Sequence, residues 1–579
     1  MNRKKYLPLL FPFSLIIFLG FILLQNGVFS ADAHFSSYAS ALFRQEVSSN
    51  ALTLHYTVSD PSKYQIHDSP ITFGQVSTDS VALGASAENA LAGLHRFNRS
   101  RLSSDNQVLY DLLDTTYSSA LDLAPYTLYD EPLAPLTGTQ AQLPVLLSEY
   151  SFHSLDDVST YLDLLEELPA YFQEILDFER AKASAGLFMN DERAKAVIRE
   201  CKTFIGMGDS NYLYDTFEKR LLELRELSDA EDSAVYKQLT ERNARCIKNT
   251  VFPAYELLAN GLDALLGSCK NEGGLCHFPD GKSYYELLVR QTTGSDRSIK
   301  EMETLTLNQV LVDVSDAQKN LEPNEVSVSR DTIFTDANPQ TLLLELKEKL
   351  SGKFPTPPSV DVSVKYVDAS MADYLSPAFY LIPTIDHFSE NTIYINPKHL
   401  SDELSLFTTL AHEGYPGHLY QTTYTSSRDL SPLRHLLSCS GYVEGWATYC
   451  EMMSYYWLPI DKSAATVLQK NASAMLGLYA YADMGIHYEG WSFAETLRFF
   501  REFGIDDRNS VLEIYNLILG DPGNYLKYYI GYLEFLELKK DAIRVWEKEF
   551  SEERFHKEIL ETGPVPFCIL REKMQLGTG

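Results

Sequence analysis

The chain has 579 residues, 45% hydrophobic and 22% charged, a balance that excludes a disordered polypeptide. Its 49 Lys and Arg against 79 Asp and Glu give a net charge of -30, which repels phosphate backbones and excludes nucleic acid as an expected partner. Acidity by itself says nothing about fold or chemistry.

In chain order, Arg3, Lys4 and Lys5 precede an apolar run from Tyr6 to Leu24, near the length at which a helix crosses a hydrocarbon core. Val28, Ser30 and Ala31 then offer small residues for cleavage. Residues 1–30 therefore read as a signal peptide or an N-terminal transmembrane anchor. The basic end stays cytoplasmic, and everything after residue 30 is expected to be extracytoplasmic, anchored by that helix or secreted.

Residues 31–320 read as helical. Val158, Tyr161, Leu162, Leu165 and Leu168 recur at helical spacing behind Ser154, a candidate N-cap. Pro169 interrupts the pattern, and Phe172, Ile175 and Leu176 resume it. Periodic stretches follow at 211–227 and 230–266. The seven cysteines are odd in number; Cys269 and Cys276 flank a Gly-containing loop and could pair in an oxidising compartment.

Residues 321–579 begin differently. Turn residues at 336–339 and a Pro-rich stretch at 354–358 lead into alternating Val362, Val364 and Tyr366, a half-buried strand signal. Residues 378–382 and 392–396 are two more strand candidates. Helical periodicity returns from Ser401. The expected architecture is mainly α with a small β-sheet: a helical N-terminal part, the sheet, and a helical C-terminal part, forming two lobes around a cleft.

The sharpest chemical signal is His412-Glu413-Gly414-Tyr415-Pro416-Gly417-His418. Two imidazoles on a divalent metal with a carboxylate beside them is the arrangement that hydrolyses amides. In the familiar His-Glu-x-x-His pattern, a four-residue step returns the second imidazole to the same helical face. Here the step is six residues. In an undistorted helix that is about 240° around, the wrong face. The helix must bulge or break, and Gly414, Pro416 and Gly417 are residue types that permit it. A third ligand is offered by Glu444, in an apolar and aromatic helix where an unpaired carboxylate is costly to bury. Glu451, seven residues further on the same face, could support the site from behind, although a solvated carboxylate is the plainer reading.

These residues resemble a known family. His412, Glu413, Pro416, Gly417, His418 and Gln421, then Glu444, Gly445, Trp446 and Ala447, are similar to the bacterial family of unknown function DUF885. The order of further segments agrees: Pro279-Asp280-Gly281-Lys282, Ser376 to Tyr380 with Asn391 to Asn396, Asp483-Met484-Gly485-Ile486-His487, and Pro522-Gly523-Asn524 with Tyr528 and Gly531. Asn524 departs from the usual glutamine, and Tyr529 from a common basic residue. The resemblance implies a two-lobed, cleft-bearing zincin-like fold similar to the neurolysin and angiotensin-converting-enzyme group. It implies one zinc per chain held by His412, His418 and Glu444, with Glu413 activating the zinc-bound water against a peptide substrate. Tyr528, and after it His487 oriented by Asp483, are the implied donors to the oxyanion. Two other readings share the scaffold: a catalytically silent surface peptide-binding protein, and a metal-dependent cell-envelope amidase.

Overall fold

The helix α1 (Leu155–Ala185) illustrates how the periodicity is used. Ser154 accepts from the Asp157 amide while Asp157 accepts from the Ser154 amide, a reciprocal cap that fixes the first turn. Pro169 does not interrupt the helix as its position suggested. It removes one backbone donor, but Leu165 and Leu168 before it and Phe172 and Ile175 after it are all buried on one core, and that packing outweighs the lost bond. In this computed structural model the described residues are 31–224, 234–321, 334, 336–367, 372, 375–400, 402–437 and 439–577.

The helices between Thr139 and Asp263 converge on one core that includes Leu165, Phe172, Tyr255 and Leu258. A second core joins the sheet to the C-terminal helices through Ile393, Leu410, Trp446, Leu478 and Ile530. The two helical lobes are in contact, and the fold is mainly α with one small sheet. In the second lobe α2 (Ile299–Asn320) lies against α6 (Lys462–Met484). Buried Asp313 of α2 receives Lys470 Nζ at 2.7 Å and Ser473 Oγ at 2.6 Å, which pairs an otherwise costly buried charge.

The sheet holds β1 (Asp361–Tyr366), β2 (Ala378–Leu381) and β3 (Glu390–Ile395) in the order β1-β3-β2. β1 runs parallel to β3 with Val364 opposite Ile393, and β2 antiparallel with Tyr380 opposite Ile393. In β3, Asn391, Ile393 and Ile395 are buried and alternate with half-buried Thr392 and Tyr394, so both faces are covered but unequally. The elements that follow are α3 (Glu403–Glu413), α4 (His418–Ser426), α5 (Ser440–Ser454), α6, and α7 (Asn524–Trp546).

Two expectations are corrected. Among the described residues no helix is long and apolar enough to cross a membrane, which overturns the transmembrane helix as an element of this fold. Residues 1–30, on which that reading falls, lie outside the described residues. The helix that follows, Ala31–Val47, buries Phe35, Ala39, Phe43 and Val47 against protein, with Leu433 among its partners. The membrane anchoring that rested on the spanning helix is overturned with it. Cys269 and Cys276 are both free thiols; Cys269 Sγ lies 3.0 Å from Asn271 O and Cys276 Sγ 3.7 Å from Ile486 O.

Candidate metal centre

Asp402 caps α3, its carboxylate accepting from Ser405 N at 2.8 Å. The helix then runs to Glu413 and stops. Gly414 has φ -107° and ψ -106°, outside the helical region, and Gly417 N turns back to donate to Ala411 O at 3.0 Å. At Gly417 a Cβ would sit 1.7 Å from His412 O, so only glycine lets the chain double back here. Trp446 Nε1 on α5 donates to Pro416 O at 2.9 Å and holds the turn in place. A new helix, α4, starts at His418.

The break brings the two imidazoles together, ring centroids 4.8 Å apart and planes at 82°. The possible ligand atoms of His412, Glu413 and His418 lie within 4.8 Å of one another. Glu444 Oε2 reaches in from α5, 3.6 Å from His412 Nε2 and 3.3 Å from His418 Nε2. Ligands at about 2.0–2.1 Å on the corners of a tetrahedron lie about 3.3 Å from one another, so this donor set fits a divalent cation. Of the two carboxylates, Glu444 touches both imidazoles, whereas Glu413 Oε2 accepts from Tyr380 N on β2 at 2.9 Å.

Burial alone would lower the His412 pKa, but hydrogen bonds to Glu444 and Glu451 and the charge of Glu413 together raise it well above the ordinary imidazole value. Burial works against ionised Glu444 in turn, and the two imidazoles override it and hold the carboxyl well below its usual range. Glu451 Oε2 lies 3.0 Å from His412 Nδ1. That contact fixes the ring so that Nε2 faces Glu444, the arrangement in which an outer carboxylate orients a ligand. The sequence signal for it was its seven-residue step from Glu444 along one helical face. Replacing Glu451 by Ala is expected to weaken metal binding about 10–100-fold, read by competition with a chromophoric chelator.

Tyr528 lies on α7, its ring centroid 6.3 Å from that of His412. Burial, then the charges of Glu444 and Glu413, raise its pKa, so the phenol keeps its proton at neutral pH. His487 is not gathered with these residues. It sits buried in a π-helical turn, with Nδ1 accepting from Leu275 N at 3.2 Å and Nε2 donating to Ile518 O at 2.9 Å. Burial pushes its pKa down to about 4, and both nitrogens are committed to backbone, which corrects its assignment as an oxyanion donor. Asp483 does not orient it. Its carboxylate accepts from Tyr285 OH at 2.6 Å and from Gly523 N at 3.0 Å, tying α6 to the start of α7, and burial pushes its pKa up to about 8.

A model of a family described as bacterial protein of unknown function, DUF885, matches residues 77–574. Among solved structures, one from Colwellia psychrerythraea, provisionally described as a lipoprotein, is 19% identical with TM-score 0.78, covering 94% of this chain and 99% of that one. Another provisionally described lipoprotein, of unknown function and from Shewanella oneidensis, is 16% identical with TM-score 0.64, covering 93% and 99%. A protein of Bacillus anthracis provisionally named an oligoendopeptidase F is 13% identical with TM-score 0.34, covering 85% and 92%, a likeness too loose to bear on function. At these identities the first two bear on the fold alone. Among curated proteins none matches the chain.

Proposed function

The chain belongs to the DUF885 family, and from that premise and the metal-centre geometry we propose that it is a zinc metallopeptidase hydrolysing peptide bonds. One observation carries the reading: the Glu444 carboxylate oxygen lies 3.3 Å from His418 Nε2 and 3.6 Å from His412 Nε2, near the edge length of a metal tetrahedron, with the Glu413 carboxylate beside the two imidazoles. His412, His418 and Glu444 would hold the ion. Bound there, zinc supplies Lewis acidity, lowering the pKa of a water and polarising a carbonyl.

The remaining chemistry belongs to the chain. Glu413 takes the proton of the attacking water and passes it to the leaving amine. Its hydrogen bond to Tyr380 N places it against the outer edge of β2, where an extended peptide can add as a further strand. Tyr528, kept protonated by burial, donates to the developing oxyanion. Glu451 holds His412 in its ligating orientation.

Metal analysis of the purified protein is expected to find about one zinc per chain. Hydrolysis of a peptide library should stop on chelation and return with added zinc. A chain that holds no metal, and takes none up from zinc solutions, would overturn the proposal in favour of a silent binding protein.

A further inference from the structure

The sheet has two faces, and the metal centre lies toward only one of them. On β2 the Tyr380 side chain turns toward α3: its hydroxyl donates to Asn391 Oδ1 at 2.6 Å and it shares a core with Ile393 and Leu410. Successive strand residues alternate, so Phe379 and Leu381 face the opposite way, together with Thr392 and Tyr394 of β3. Against that second face lies a cavity of about 740 Å³, between the sheet and the N-terminal helices. Its volume falls within the range of small-ligand sites, and no step proposed above uses it.

The outer edge of β2 links the cavity to the metal centre. Pro377 O accepts from Asn396 N at 2.8 Å on the β3 side, whereas Tyr380 N points the other way, to Glu413. Among the described residues β2 is therefore an outermost strand whose outward backbone groups lie beside the proposed base. Tyr380 N is held by Glu413, so a peptide at this edge pairs by donating an amide to Tyr380 O, which brings its backbone beside Glu413. The pleat then dictates the side chains. The substrate residue opposite Tyr380 faces as Tyr380 does, and the residues on either side of it face the cavity, as Phe379 and Leu381 do.

Beside charged groups such as Asp215, Lys219, Glu223 and Lys365, the lining carries rings placed to receive another flat ring. Phe379 and Tyr394 stack with centroids 4.9 Å apart and planes at 8°, a platform that Leu381 extends. Glu149 fixes the Tyr394 ring by accepting its hydroxyl at 2.7 Å. Across the cavity stands Phe152, with the Arg220 guanidinium 5.2 Å from its ring centroid. Arg220 is itself anchored, Nε donating to Thr216 O at 2.9 Å and Nη1 to Leu147 O at 3.1 Å. Stacked rings on one side and a fixed ring with its cation on the other reward aromatic over aliphatic side chains.

We propose that this cavity recognises the two substrate side chains that flank the residue opposite Tyr380, and that it selects aromatic ones. The proposal rests on the peptidase reading. It is tested by profiling cleavage of a peptide library by the zinc-loaded full chain, then repeating the profile with Phe379→Ala and Leu381→Arg. The wild type is expected to enrich aromatic residues at two positions separated by one residue. Each variant should lose about 10–100-fold in kcat/KM on such peptides, in KM more than kcat. Peptides with Ala at both positions should change less than about twofold, and zinc content should be unaltered. Leu381→Arg lies on the half-buried strand edge and fills the cavity without emptying a core, so it reports even where Phe379→Ala disturbs folding. Hydrolysis with no spaced aromatic preference, or a preference that survives both variants, overturns the pocket and leaves the peptidase reading standing. Failure of the zinc-loaded wild type to cleave any peptide overturns the peptidase reading and the pocket with it.

Discussion

Replacing Glu413 by Gln is expected to lower peptide hydrolysis by on the order of 10²–10⁴-fold while zinc stays bound. The amide is close in size to the carboxylate, and its oxygen can still accept from Tyr380 N, so the turn between α3 and α4 has no reason to move. What it lacks is basicity: an amide oxygen does not take up the proton of the attacking water at neutral pH. The ligand set of His412, His418 and Glu444 is untouched. His418→Ala provides the contrast, because it removes a ligand and both zinc and activity should be lost. Turnover and metal content measured on the same preparations separate the two effects. A Gln variant that turned over at the wild-type rate would remove Glu413 from the mechanism.

The second large effect is structural and reaches the site through two helices. Gly445→Ala is expected to destabilise the protein by about 1–3 kcal/mol, the usual cost of forcing extra volume into a close-packed contact. A Cβ at Gly445 would lie 2.4 Å from the Gly531 carbonyl carbon, and one at Gly531 would lie 2.1 Å from Gly441 O. These are backbone atoms and cannot rotate aside, so α5 and α7 must part. Because α5 carries Glu444 and α7 carries Tyr528, the separation should also weaken zinc binding. Gly206, with no atom within 4 Å of its added Cβ, is the control, and Gly206→Ala should change stability little. Thermal unfolding with and without zinc measures both consequences. An unaltered melting curve for Gly445→Ala would mean that the helices yield more easily than their contact suggests.

His487 shows where motif reasoning runs out. An isolated histidine in an Asp-x-Gly-x-His segment can be a catalytic donor or a satisfied core imidazole, and the difference lies in the backbone groups that meet it. Leu275 N and Ile518 O come from distant parts of the chain, and neither is announced by residues near His487. Glu451 errs in the other direction. Its plain reading as a solvated carboxylate gives way because α3 and α5 pack together and bring His412 Nδ1 to it. Trp446 belongs to a motif whose spacing names no task for it, and in the fold its indole donates to Pro416 O.

What the sequence by itself determined is whatever depends on near neighbours. Apolar spacing of 3.6 and of 2 residues marked the helices and the three strands, because burial on one face is written into consecutive side chains. The cap at Ser154 and the helix-breaking residues from Gly414 to Gly417 were legible for the same reason. Only the tertiary structure decided which side chains meet. His412 and His418 stand about 240° apart on an ideal helix, and only the break between α3 and α4 sets their rings 4.8 Å apart. Glu444 reaches both from another helix, at a depth set by glycine contacts between α5 and α7. The cavity on the far face of the sheet exists only where two lobes, each with its own core, come together. Local periodicity encodes which face of an element is buried; it does not encode the partner, because partners are chosen by packing between segments that lie far apart in the chain.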